Sequence, residues 1–153
     1  MTTWINPIYD RTQADVDYAK AQIEYFKQYG GITDGVAMKG CLNDVDLNRI
    51  ENNCDYIGDL LASLCYYNHI DRYDGSWSLT SVPDTSHINR IIGNVKKMQD
   101  NYFKPSASPT LPTTLTHYED VNSLEKCLYL LKVMIDNMTS SFKQCGTFTC
   151  GEE

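Results

Sequence analysis

The chain has 153 residues, 42% of them hydrophobic and 22% charged, and its thirteen basic against twenty acidic side chains leave a net charge of −7. That length fits one domain able to bury roughly 70% of the surface an unfolded chain would expose. The negative charge repels phosphate backbones and anionic lipid, and no window approaches the ~20 apolar residues that span a bilayer, so neither nucleic-acid binding nor membrane insertion is expected.

The first stretch, residues 1–11, contains Trp4, Ile5, Pro7 and Ile8 without a helical period. Pro7 disfavours helix at the residue before it, and the stretch reads as an extended arm anchored by Trp4. It has no basic region followed by an apolar run, so it does not read as a secretory signal. Thr12 and Asp15 have the spacing of a capping box, and a first helix is expected from there to Tyr29. Its seam is Val16, Ala19, Ile23 and Phe26, and Gly30-Gly31 stops it. Residues 30–43 hold four glycines and no period, which is the pattern of a loop.

The second helix is the most strongly patterned stretch. From Asp44 to Tyr67, apolar residues fall at Leu47, Ile50, Cys54, Ile57, Leu61 and Leu64, alternating three and four, which predicts a helix packed lengthwise on others. Asn43 or Asp44 caps it, and His69 near its far end has a capping or solvent role. The next stretch, 71–84, carries a turn at Asp74-Gly75. A third helix opens after Pro83-Asp84-Thr85, with His87 in its first turn and Ile88, Ile91, Val95, Met98 and Tyr102 as its seam.

Pro105 ends that helix and opens a Pro/Ser/Thr stretch long enough to carry the chain the length of a neighbouring helix along the surface. Helix four starts at Tyr118 to Asp120 and places Leu124, Cys127, Leu131, Met134 and Met138 on one seam, widened by Leu128 and Ile135. Cys54, Cys65 and Cys127, inside helical patterns, are expected as buried free thiols. Residues 143–153 break the pattern and read as a short hairpin-like clasp in which Cys145 and Cys150 bracket four residues. Three states fit that pair: packed free thiols, a disulfide, or half of a zinc site completed by Cys41 and His117.

Three helix starts echo one another. Asn-Arg-Ile occurs at 48–50 and again at 89–91, each followed three residues after the Ile by an Asn, at 53 and 94, and Leu124-Glu125-Lys126 keeps the same apolar-polar-basic order. Trp4 with Pro7, Asp10 and Thr12 is echoed by Trp77 with Pro83, Asp84 and Thr85. Two explanations stand: a duplicated arm-plus-helix unit, or the ordinary likeness of capped amphipathic helices. The uneven spacing excludes a solenoid.

These same stretches, WINPIYDRTQADV, DLNRIENN, INRI and the terminal CGTFTCGE, resemble small proteins encoded among the tail and baseplate genes of phages and prophages of Gram-positive, Clostridia-like bacteria. The resemblance covers nearly the whole chain. It implies a virion or tail-particle component, made in the host cytoplasm, whose partners are other virion or tail proteins, and it carries over no catalytic residues.

No Gly-rich phosphate loop, Gly-x-Ser-x-Gly or His-Glu-x-x-His is present, and the acidic pairs at helix starts answer the helix dipole, so no enzyme, cofactor or metal is expected. Aromatic side chains with polar tips favour interfaces, which makes Trp4, Tyr73 and Trp77 interface candidates and Cys145 and Cys150 disulfide or metal candidates. The expected architecture is a single all-α domain, 1–153: an arm at 1–11, an antiparallel four-helix bundle at 12–142 and a clasp at 143–153. The expected function is a non-enzymatic structural or adaptor role in a phage tail, baseplate or fibre attachment. Packing between copies into a homo-oligomer is compatible with the seams. The alternative is a stand-alone cytosolic binding or regulatory module with a metal or disulfide at the C-terminal Cys pair.

Overall fold

The computed structural model describes residues 2–30, 38–66, 69–78 and 80–145, the last four by backbone alone. It is an all-α four-helix bundle: α1 Gln13–Tyr29, α2 Asp44–Ser63, α3 Thr85–Asn101 and α4 Tyr118–Cys145, preceded by an extended N-terminal arm. The first three helices begin with reciprocal capping boxes, Thr12 with Asp15, Asn43 with Asp46 and Asp84 with His87. Before α4, Asp120 accepts from the backbone N–H groups of Thr116 and His117. Each box satisfies amides that a helix start leaves without partners.

The helix ends differ in chemistry. Gly30 stops α1 at φ 73°, the left-handed conformation that glycine adopts without penalty. Helix α2 stops at Ser63, four residues before the seam pattern runs out at Tyr67. Cys65 takes φ 65°, its N–H donates to Ala62 O and that of Tyr66 to Leu61 O, a two-bond stop normally built on glycine. This conformation exposes the Cys65 thiol, so of the three cysteines expected inside, Cys54 and Cys127 are buried and Cys65 is not.

Helices α2, α3 and α4 pack on one another pairwise. Their shared core is Leu47, Ile50, Cys54, Ile57 and Leu61 from α2, Ile91, Val95 and Met98 from α3, and Val121, Leu124, Cys127, Leu128, Leu131 and Ile135 from α4. Met134 and Met138, expected on the α4 seam, lie at its edge, half-buried.

The three helices run in the same direction, not antiparallel. Near their starts Arg49 of α2 reaches Glu125 of α4 and Arg90 of α3 reaches Glu51 of α2. At the far end the hydroxyls of Tyr66, just beyond α2, and Tyr102, just beyond α3, both approach the Met138 sulfur of α4. Parallel helices need connections that return the full length of the bundle, and the two connections, 64–84 and 102–117, do so. In the first of these the sequence marks only the Asp74-Gly75 turn, and nothing in it signals a return of that length.

Helix α1 stands apart from this three-helix unit. Of its seam only Ala19 is buried; Ile23 and Phe26 are exposed. Its first turn is seated on Gly40, where an added Cβ would lie 2.1 Å from the Asp15 carbonyl oxygen, so no side chain fits between that segment and α1. Helix α4 runs to Cys145, so the first three residues of the expected clasp are helical; the Cys145 side chain and Cys150 lie outside the described residues.

The α3 start has a pH dependence of known sign. Hydrogen bonds from the Ser86 hydroxyl and the His87 backbone hold the Asp84 carboxyl down at about 2. A carboxylate depressed in the folded state contributes its stabilisation above its ordinary range and loses it as pH falls through the lowered value. The first-turn amides of α3 should therefore begin to loosen below about pH 4, be about half-changed near pH 2 and complete the change only below it, and report it as an NMR shift titration centred at that lower figure.

Candidate functional site

Four asparagines on the helices each hold one residue of an extended strap by both its N–H and its C=O. Asn53 of α2 accepts from Ile5 N at 3.0 Å and donates to Ile5 O at 2.7 Å. Asn122 of α4 does the same with Arg11, Asn94 of α3 with Asp71, and Asn48 of α2 with Trp77, all between 2.8 and 3.1 Å. A primary amide presents one donor beside one acceptor and so matches the backbone of a single extended residue. Straps without sheet partners thereby have their polar groups satisfied at the bundle surface.

These pairs expose an internal repeat of three units, not two. Strap one is clamped at Ile5 and Arg11 and strap two at Asp71 and Trp77, the same interval, running from Asn53 of α2 to Asn122 of α4 and from Asn94 of α3 to Asn48 of α2. The third occupies 109–115, its start held by the Cys127 thiol donating to Pro109 O at 3.6 Å. Asn48, Asn89 and Asn122 are thus equivalent, as are Asn53, Asn94 and Cys127. Each strap then enters a turn: the N–H of Thr12, Ser78 or Thr116 donates to the side chain of Asp15, Ser81 or Asp120. The helix-start echo was legible in sequence. The tryptophan echo was misaligned, because Trp77 occupies the position of Arg11 and not that of Trp4. Residues 13–43, with α1, interrupt the first unit as an insertion.

Beneath strap one lies a buried ion cluster. The Glu125 carboxylate is fully enclosed and accepts from Ile8 N at 2.8 Å, Arg49 Nε at 2.9 Å, Arg49 Nη2 at 2.7 Å and Arg11 Nη2 at 3.0 Å. Asp46 Oδ1 takes the same two guanidiniums at 2.5 and 2.9 Å. Arg11 spends its remaining donors on Lys39 O and Ile8 O. Two positive and two negative groups close the cluster, with the charge of each accepted by another. Burial opposes the charge of Arg49, and its bonds and attraction to Glu125 and then Asp46 outweigh that, so its pKa lies above the ordinary value. Between α3 and α2 the equivalent pair is Arg90 with Glu51, covered by Asp71 O; between α4 and α3 the same positions are Ser123 and Ile92, and the polar pair is absent. The cluster is a structural tie, and every acidic oxygen that it uses is engaged.

Removing one clamp tests this reading. Asn53→Ala strands the N–H and C=O of Ile5, a residue partly open to water, and should cost about 1–3 kcal/mol, read as a lowered denaturant midpoint. Loss of protection at the Ile5 amide, with Arg11 still protected, would accompany it. An unchanged midpoint would show that the strap is held by its apolar contacts.

The sequence-predicted residues are dispersed. Trp77 is 4% exposed, a member of the core, stacked on Tyr73 at 4.8 Å with His87 edge-on. As a surface contact it is unavailable. Tyr73 is half-buried and carries Arg90 over its face. Trp4, half-buried, pairs with Tyr56 under the Lys132 ammonium on the other side of the unit. Exposed aromatic side chains gather instead on α1, where Tyr25, Phe26 and Tyr29 stand open beside Ile23, Phe26 by 52% and Tyr29 by 64%; Phe103 after α3 and Tyr129 on α4 are exposed singly. Sequence reasoning assigned Ile23 and Phe26 to the core because their three-four spacing does not say whether a partner surface lies in the same chain.

A cavity of about 330 Å³ lies between the starts of α1 and α4, lined by Arg11, Lys20, Leu115, His117 and Glu119 among others. Among the described residues no group of three or more His, Cys, Asp or Glu side chains is placed to hold a metal, and no helix is long and apolar enough to cross a membrane. No family model, curated protein or solved structure matches the chain.

Proposed function

We propose that this chain is a non-enzymatic structural adaptor of a phage tail, baseplate or fibre attachment, incorporated in the virion and acting by packing against neighbouring tail proteins. The observation that carries this reading is the division of labour between two parts. The three-unit bundle is tied by side-chain clamps and a neutral buried ion cluster, which makes a rigid base. Inserted in its first unit, α1 turns Tyr25, Phe26 and Tyr29 outward, side chains that a solitary protein gains little by exposing and that interfaces favour. The resemblance to tail and baseplate proteins supplies the class of neighbour.

The test is a pair of surface substitutions, Phe26→Ser and Tyr29→Ser, in the full chain. They should leave the thermal melt within a degree or two, because neither ring belongs to the core, and should abolish co-purification with the products of adjacent tail genes. Retention of those partners would remove α1 from the interface, and absence of the chain from purified particles by mass spectrometry would remove the virion assignment.

A further inference from the structure

The three straps are not held equally. Straps one and two are each fixed at both ends by a double amide clamp, with an Arg–Glu pair between their helices, buried under strap one and half-buried under strap two. The third begins at Pro109, which has no N–H, so an asparagine there would leave its own acceptor without a partner; Cys127, with one weak donor, fits the single carbonyl that proline offers. At the other end the equivalents of the closed clamps are Asn89 and Leu115, and among the described residues neither the Asn89 amide nor the Leu115 backbone makes a hydrogen bond. Asn89 is exposed. Where the other two grooves carry an Arg–Glu pair, this one has Ser123 and Ile92, with Ile92, Leu111 and Leu115 packed against the core from outside.

We infer that strap 109–115 is a gate built into the fold: it opens and recloses over the α3–α4 groove while the other two straps and the helices stay in place. Among the described residues, one sulfur-donated bond and the packing of Leu111 and Leu115 hold it, against four amide-to-backbone bonds on each of the others. Elements with few fixed hydrogen bonds open at a lower free energy than the whole chain. Cys127, fully buried and bonded to the strap itself, becomes reachable on opening, whereas Cys54, equally buried on the α2 seam, becomes reachable only when the helices separate.

Native-state thiol labelling of the full-length chain with a small maleimide, resolved by peptide mass spectrometry, separates the two. Cys127 should label at least ~10-fold faster than Cys54, at a rate nearly independent of denaturant at low concentration, while Cys54 follows global unfolding. Equal rates with equal denaturant dependence would show that the strap moves only when the protein unfolds, and would overturn the inference. Asn89→Ala supplies the second reading. An unchanged Cys127 rate supports the open clamp, and an acceleration approaching that of a strap-deleting change such as Leu111→Ser with Leu115→Ser would mean that Asn89 holds the strap shut.

Discussion

Glu125→Ala should lower stability by about 3–5 kcal/mol, the loss expected when one partner of a buried ion cluster is removed and the others stay charged. The carboxylate is fully enclosed, and Arg11 and Arg49 would remain with Asp46 alone as counter-charge. At roughly 2–4 °C per kcal/mol for a chain of this size, the melt should fall by roughly 6–20 °C. The Ile8 N–H also loses its acceptor, so strap one should loosen first, visible as faster exchange at Ile8 and Arg11 ahead of the helices. Glu125→Gln is the informative companion. It keeps volume and one acceptor but discards the charge, and should fall between wild type and alanine. If glutamine were as stable as glutamate, the cluster would be held by geometry alone. Replacing Arg49 and Glu125 together by methionine should recover much of the loss, since a buried ion pair is often no more stabilising than apolar groups of similar volume.

The helices were legible because their information is local. Three-four spacing marks the core stripes at Leu47 to Leu61, Ile91 to Met98 and Leu124 to Ile135, and cap chemistry fixed the starts at Thr12, Asn43 and Asp84. The stop of α2 was illegible because a cysteine, and not a glycine, adopts the left-handed conformation at position 65. Helix direction was illegible for a different reason. Amphipathic patterns are the same for parallel and antiparallel neighbours, and only the length of the connections distinguishes them. The stretch before α4 was read as a full-length return; that before α3, with its Asp-Gly turn, was not.

The clamps sit between these cases. Asn53 and Asn94 were visible as a repeated position, but an asparagine on a helix surface signals nothing about a strap until the strap is placed against it. The third unit hid its membership because Cys127 replaces the asparagine, a change that follows from Pro109 on the strap and so requires two distant residues to be read together. Arg11 and Glu125, which tie the arm to the bundle, carry no local sign of burial; Glu125 enters only through the helix-start echo, and nothing in its neighbourhood marks a buried partner.

Trp77→Ala is the second large effect, and it decides between an interface and a core role for that residue. The indole is 4% exposed, stacked on Tyr73 and edge-on to His87, and the backbone of the same residue is held by Asn48. Truncating a buried tryptophan removes its transfer free energy and leaves a cavity that the surroundings fill only in part, a loss of about 3–5 kcal/mol. Tyr73, deprived of its stacking face, should become mobile, with Arg90 still paired to Glu51 beneath it. The clamp itself uses only the backbone of residue 77, so Asn48 should keep both of its bonds, and the Trp77→Ala amide should stay protected from exchange while the midpoint of unfolding falls. Trp77→Phe should recover more than half of the lost stability, because it retains most of the stacked surface. An alanine variant with an unchanged melt but weakened assembly would instead put the indole at an intermolecular surface, which its burial in the monomer does not allow without displacement of strap two.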